Sequence, residues 1–521
     1  MHLSKYDELY VISDIHMGGS KTLDQDFQVF NHGTRLAKFI LYLAESRPKD
    51  DVCLILNGDI IDSLAEDQVK GYVALDHTVI VNVLERIYND PSFVSVWNAL
   101  AEYIKKPRRH LVFIVGNHDI ELSLPCVEAS IRNHLAGKDA RIQSRLIFSS
   151  HGSGFACFVG NKRVFCTHGN EVDDWNMVNY NQLGQLGNAM NAGRLVDSDG
   201  WKPNAGTRLV VDAMNKIKRN YPFVDLLKPE TEPLFGVLLT LDSKALKNID
   251  FFDAFPIFRD KIKGRWQRKK LLSTETGDFS EVGKETLANE AMESLLGSHL
   301  KKVISLNQQN QINISENDLL VETEEAIAQG KSVYQAEDEE AISGELGWGD
   351  IVAGKIGLID KVEALRNALK DWLAGDDTFE IKTEDDTYKL IIKRIGSEVD
   401  FVITGHTHLA RAIKVDAGCF YFNSGTWIRL LRLTKEVLSD SANDVFKKTV
   451  WRAFSSGKMS DLDSAEIPGE KGEMVSLVYD RTHAVRISDQ QGAVKGELLL
   501  VTGGNNESDE IQLIPEFDST Q

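Results

Sequence analysis

Five largely apolar runs along the chain each stop at a cluster of polar side chains. Leu9-Tyr10-Val11-Ile12-Ser13 leads into Asp14-Ile15-His16-Met17-Gly18-Gly19. Val52-Cys53-Leu54-Ile55-Leu56 leads into Asn57-Gly58-Asp59-Ile60-Ile61-Asp62, and Leu111-Val112-Phe113-Ile114-Val115 into Gly116-Asn117-His118-Asp119. Arg163 to Thr167 runs into His168-Gly169, and Val399 to Ile403 into Thr404-Gly405-His406-Thr407-His408. Such runs read as strands buried on both faces. Between the first three lie helical spacings: Leu36, Phe39, Ile40 and Leu43 within 34–45, and Phe93, Val96, Trp97, Leu100 and Ile104 behind Ser92 as an expected N-cap. Strand, helix, strand, helices, strand predicts an α/β layered fold with a largely parallel first half.

Residues 145–167 carry three short strand patterns, and then the pattern changes. From about Asp173 to Val399 amphipathic helical stripes dominate, such as Leu209, Val210, Ala213, Met214 and Ile217, and later Leu358, Val362, Leu365, Leu369 and Trp372. The strongly acidic stretch 316–345 reads as exposed or mobile. Strand patterns return at 399, at Cys419-Phe420-Tyr421-Phe422, and as late antiparallel alternations near 474–479, 483–487 and 494–501. The expected division is a core in two parts, 1–170 and 399–505, an insertion over 171–398, and a polar tail over 506–521.

A chain of 521 residues has room for such an insertion. Its net charge of −19 weighs against broad nucleic-acid binding. The five cysteines, Cys53, Cys126, Cys157, Cys166 and Cys419, form no C-x-x-C pair, which predicts free thiols and a reducing compartment. The first strand starts too early for a signal peptide, and no apolar run reaches the roughly 18 residues of a membrane span. The expected setting is cytoplasmic, with no membrane partner.

The strand ends together supply Asp14 and His16, Asp59 and Asp62, Asn117 and His118, His168, and His406 and His408. Carboxylate, amide oxygen and imidazole without thiolate suit divalent Mn, Fe or Zn and argue against a structural zinc site. One ion would be oversupplied by so many ligands, and two are suitably served. His151-Gly152 is a second His-Gly pair and a rival to His168. Asp62 also fits a turn or a cap.

The succession D-x-H, G-D-x-x-D, G-N-H-D, H-G and G-H-x-H resembles the calcineurin-like metallophosphoesterases over roughly 7–168 and 399–427. The resemblance implies a four-layer α/β/β/α sandwich with the mostly helical insertion as a cap over the cleft. It implies two divalent metal ions, manganese foremost, with Fe or Zn as alternatives. Asp14, His16 and His408 would hold one, Asn117, His168 and His406 the other, and Asp59 both. His118 would face the leaving oxygen of a phosphate-ester substrate, oriented by Asp62. Protein Ser/Thr phosphatases of the superfamily carry Arg after G-D-x-x-D and end the third motif in Glu. Here Ser63 and Asp119 stand instead, so the motifs look more like the phosphodiesterase and DNA-repair-nuclease branches. The expected activity is hydrolysis of a phosphodiester of a nucleotide or small molecule. The alternatives are a nuclease whose insertion guides a strand, and a non-catalytic scaffold that kept the fold. The basic stretch from Arg259 to Lys270, with Trp266 interleaved, fits either a polyanion grip or a solvated helix face. Asn423 and Trp427 are further candidates for the cleft wall.

Overall fold

The computed structural model describes residues 3–19, 28–66, 69, 71–194, 196, 201–218, 220–227, 234–241, 360–372, 379–416, 418–469, 471–506 and 508–520. The basic stretch at 259–270 and the acidic stretch at 316–345 lie outside the described residues. Contacts divide the chain into two compact units. One comprises Met1–Thr207, Asp377–Leu430 and Tyr479–Gln521, the other Arg208–Asp376 and Leu431–Val478.

The first unit holds β1 (Ser4–Tyr6), β2 (Glu8–Ile12), β3 (Val52–Asn57), β4 (Arg109–Ile114), β5 (Leu146–Ser149), β6 (Phe155–Val159), β7 (Lys162–Cys166), β8 (Phe401–Thr404), β9 (Arg411–Lys414) and β10 (Phe420–Asn423). One sheet runs β1-β6-β7-β8-β10-β9. The other runs from Gln512–Asp518 through Ala493–Thr502 and Thr482–Gln490 to β2, β3, β4 and β5. Neighbours from β2 to β5 are parallel, as the strand–helix alternation predicts. The late strands add to β2 antiparallel.

Alternation along each strand decides which face meets which layer. Val11, Ile55 and Val112 point between the sheets, where they meet Val164, Ile403 and Phe422. The free thiols of Cys53, Cys157 and Cys166 are buried in the same layer. Each fully buried aliphatic side chain there contributes about 1.5–3 kcal/mol. On the other face of the second sheet, Tyr10 meets Phe39 of the Gly33–Glu45 helix with ring centroids 6.1 Å apart, and the Val94–Lys105 helix packs beside that helix. On the outer face of the first sheet, Tyr388 and Ile391 of the Asp386–Ile392 helix cover Val402, Ile413 and Tyr421. The layers are therefore α/β/β/α.

Several expectations need correction. Ser92 does not cap the Val94–Lys105 helix. Asp90 makes that turn instead, its carboxylate accepting from Ser92 N at 2.9 Å and its carbonyl from Val94 N at 2.8 Å. The Ser92 hydroxyl donates to Gln28 Oε1. The 506–521 segment is not a plain polar tail, because Gln512–Asp518 pairs with Ala493–Thr502 as the edge strand. The Asp386–Ile392 helix, expected inside the insertion, forms a layer of the first unit, and 431–478, expected in the core, falls in the second unit.

The described part of the second unit is mainly helical. The Lys361–Trp372 helix packs on Leu234–Leu241 and buries Val362, Leu365 and Leu369 of the predicted stripe. Its Arg366 donates to the carbonyls of Leu438 and Ser439. Phe223 stacks on Phe454 at 3.6 Å.

Candidate metal centre

The parallel register sets the ends of β2, β3 and β4 side by side, since Ile12 pairs with Leu56 and Leu56 with Phe113. β7 and β8 end together in the other sheet, where Cys166 pairs with Ile403. The loops then lace to one another through the backbone. Asp14 N donates to Gly58 O at 3.1 Å, His16 N to Asp59 O at 2.9 Å, and Gly405 N to His168 O at 2.8 Å.

Two glycines let the sheets approach. A Cβ on Gly58, whose φ is +84°, would overlap the His168 ring. A Cβ on Gly405 would lie 2.6 Å from Asp14 Oδ2. The ligand candidates themselves carry unusual backbone: Asp14, His16, Asp59, His406 and His408 have φ of 53, 53, 52, 71 and 62°. Non-glycine residues seldom hold such angles, and they gather where a site over-determines the chain.

Asp14, His16, Asp59 and His408 each bring one ligand atom to within 4.8 Å of the others, and so do Asp59, His168 and His406. Asp59 belongs to both groups. Its Oδ2 lies 3.1 Å from His168 Nε2 and 3.8 Å from His16 Nε2. His408 Nε2 is 3.3 Å from Asp14 Oδ1, and it faces His16 Nε2 at 3.2 Å. Asn117 Oδ1 is buried and has no hydrogen-bond partner among the described residues. Asn117 precedes His118, whose backbone N donates to Asp59 Oδ1, and an orphaned buried amide oxygen on that loop is a group a divalent cation would satisfy, so the residues fit the metal that the motifs imply.

Charge is tightly balanced here. Burial would raise the Asp59 carboxyl, but the imidazoles of His168 and His118 hold it well below the usual range. Burial opposes protonation of His168, yet Asp59 pulls its pKa up to about 10. Burial pushes Asp14 up to about 6.

His16, Asp62 and His118 form a third close group. His118 Nδ1 lies 3.3 Å from Asp62 Oδ1, and its backbone N donates to Asp59 Oδ1 at 2.8 Å. His151 is exposed and belongs to none of these groups, which leaves His168 in place. Asn423 and Trp427 do not line a cleft. Both are buried, Asn423 Nδ2 donating to Gly405 O and Trp427 Nε1 to His483 O. Of the other histidines, His32 pairs with Asp480, and His134 stacks on Tyr88 at 3.9 Å.

Supporting residues were harder to foresee. The buried Asp119 carboxylate accepts from Gly116 N at 2.6 Å and Ile60 N at 2.7 Å, fastening the second and third loops together. Burial and the nearby Asp59 raise its pKa to about 7. The Ser13 hydroxyl bonds to Asp14 Oδ2 and to Ser424 Oγ. Ser63 Oγ donates to His118 O at 3.2 Å and Glu121 Oε2 at 2.8 Å. Asp173 Oδ2 sits 2.8 Å from His406 Nε2. Asp119 and Ser63 were visible beside motif residues, whereas nothing in the sequence singles out Asp173.

A four-layer sandwich with a buried Asp/His cluster at its strand ends fits a metal-dependent phosphoesterase. Residues 8–220 match the family model of the calcineurin-like phosphoesterases, so the chain carries a phosphoesterase domain of that kind, one that hydrolyses phosphoric esters. No curated protein and no solved structure matches the chain. Among the described residues, no helix is long and apolar enough to cross a membrane.

Proposed function

We propose that the protein hydrolyses phosphodiesters of a nucleotide or small molecule with two divalent ions, manganese foremost and Fe or Zn as alternatives. The observation that carries this reading is the membership of Asp59 in both ligand groups. Asp14, His16 and His408 would hold one ion, Asn117, His168 and His406 the other, and Asp59 would serve both. When bound, such ions activate water and neutralise charge on the phosphate. His118 supplies the proton for the leaving oxygen, while the Asp62 carboxylate orients the imidazole and stabilises its charged form. Ser63 supports the choice of a diester. It stands where a phosphatase would place a cation, and its hydroxyl is committed to His118 O and Glu121. A diester carries one negative charge and needs less compensation than a monoester dianion. The free thiols favour a cytosolic setting.

The test is a panel of bis(p-nitrophenyl) phosphate, p-nitrophenyl phosphate, cyclic nucleotides and single-stranded DNA, run with chelator-treated and Mn²⁺-reconstituted protein. Diester turnover that depends on added metal supports the reading. Monoester preference, DNA cleavage alone, or activity that survives complete metal removal would each replace it.

A further inference from the structure

His406 is held at two points. Its backbone N donates to Asp14 Oδ2 at 3.0 Å, and its ring meets Asp173 Oδ2 through Nε2 at 2.8 Å. Asp173 is itself fixed by donors that do not involve His406. Trp175 N donates to Asp173 Oδ1 at 2.9 Å, and Asn176 Nδ2 to Asp173 Oδ2 at 2.8 Å. Asn176 is buried, and the loop is tied down by Gly206 N donating to Trp175 O at 2.8 Å. The carboxylate therefore waits in a built socket for the ring. The His406 and His168 rings stand 5.4 Å apart between centroids, inclined at 65°.

An imidazole that donates one N–H to a carboxylate has its tautomer and rotation set, and the other nitrogen becomes the ligand. From this geometry we infer that Asp173 is a positioning residue: it holds His406 as the Nε2–H tautomer, so that Nδ1 serves the ion shared with Asp59 and His168. The inference rests on the two-ion reading above. It accounts for the 173–176 turn, which none of the strand-end motifs includes. It also divides labour between the two ends of His406, with backbone N–H fixing the loop to Asp14 and the ring fixed separately by Asp173.

The experiment is Mn²⁺ titration of the metal-free full-length protein, with free Mn²⁺ read by electron paramagnetic resonance. Wild type should bind two ions per chain. Asp173→Ala should weaken one ion by about 10–100-fold and leave the other nearly unchanged. Asp173→Asn keeps a carbonyl acceptor for Nε2–H and should restore most of the lost affinity. Histidine ¹⁵N spectra of the metal-free protein, with the His406 signal assigned by its loss in His406→Gln, should show a protonated Nε2. That readout holds even if a position-173 variant folds poorly. Unchanged affinity for both ions in Asp173→Ala, or an Nδ1–H tautomer at His406, would overturn the inference while leaving the two-ion reading intact. Equal losses in the Asn and Ala variants would make Asp173 a ligand and overturn it too. Fewer than two ions on wild type would instead remove the two-ion reading, and this inference with it.

Discussion

Replacing Gly58 by alanine tests whether the close approach of the two sheets is what forms the centre. Gly58 holds φ of +84°, where an L-residue costs about 1–2 kcal/mol. Its new Cβ would also overlap the His168 ring, which is fully buried and held by Asn57 O at 2.7 Å and Asp59 Oδ2 at 3.1 Å. The ring must retreat by roughly 1 Å, and a misplacement of that size costs about 10²-fold in turnover. Losing the Asn57 bond adds about 1 kcal/mol. Gly58→Ala should therefore lower stability by about 2–3 kcal/mol, release one ion, and cut turnover about 100-fold. Gly71 provides the control. Its φ is +91°, and a Cβ there meets nothing within 4 Å. Gly71→Ala should carry the backbone cost alone and keep both metal and activity. The assays are denaturant unfolding of the metal-free proteins, metal content, and hydrolysis of bis(p-nitrophenyl) phosphate. If Gly58→Ala retained metal and activity as well as Gly71→Ala, the close approach at Gly58 would not be what forms the centre.

Asp59→Asn should reduce bound metal and activity together, because one unit charge about 4 Å from a cation is worth about 4 kcal/mol at an effective dielectric of about 20, or roughly three decades of affinity per ion; metal analysis beside turnover checks it. His118→Asn should keep its metal and lose about 10²–10⁴-fold on alkyl or sugar leaving groups, with a smaller loss on p-nitrophenolate. An equal loss on both classes of substrate would exclude proton donation. Asp480 offers a test of pH dependence away from the centre. Burial would raise its carboxyl, but His32 and Arg35 hold it at about 2. Its contribution is therefore present above the ordinary carboxyl range and disappears as pH falls from about 4 through 2. Because the side chain is 42% exposed, Asp480→Asn should cost only about 1 kcal/mol near neutral pH and progressively less as pH falls through about 2, measured by unfolding.

The Asp and His residues that gather at the strand ends were legible because each sits directly behind an apolar run, where buried strand gives way to loop. What lay beyond the sequence was lateral. That β7 and β8 are neighbours brings His168 to His406, and no local pattern encodes that pairing. Asp119 and Ser13 act through contacts their spacing does not disclose, and Asp173 reaches His406 through a turn without a motif. At Ser92 the expected cap failed because the Asp90 carbonyl already takes the Val94 amide, while the Ser92 hydroxyl turns to Gln28. The Gln512–Asp518 strand was hidden by the polar residues on either side of it and by Pro515, which an edge strand tolerates because one side of its backbone needs no partner.

The pairing of β7 with β8 also bears on synthesis. Asp14 through His168 leave the ribosome early, and His406 and His408 follow about 240 residues later, an interval of roughly 10–50 s at ordinary elongation rates. Throughout that interval the nascent chain displays Asp59 and His168 without the neighbour that completes their group, and β7 keeps an open edge where β8 will lie. Metal therefore cannot template the early fold in its final geometry. The Asp59, His168 and His406 group closes only when the second part of the sandwich arrives, so a chain truncated before residue 400 should lack that group however well its first strands pack.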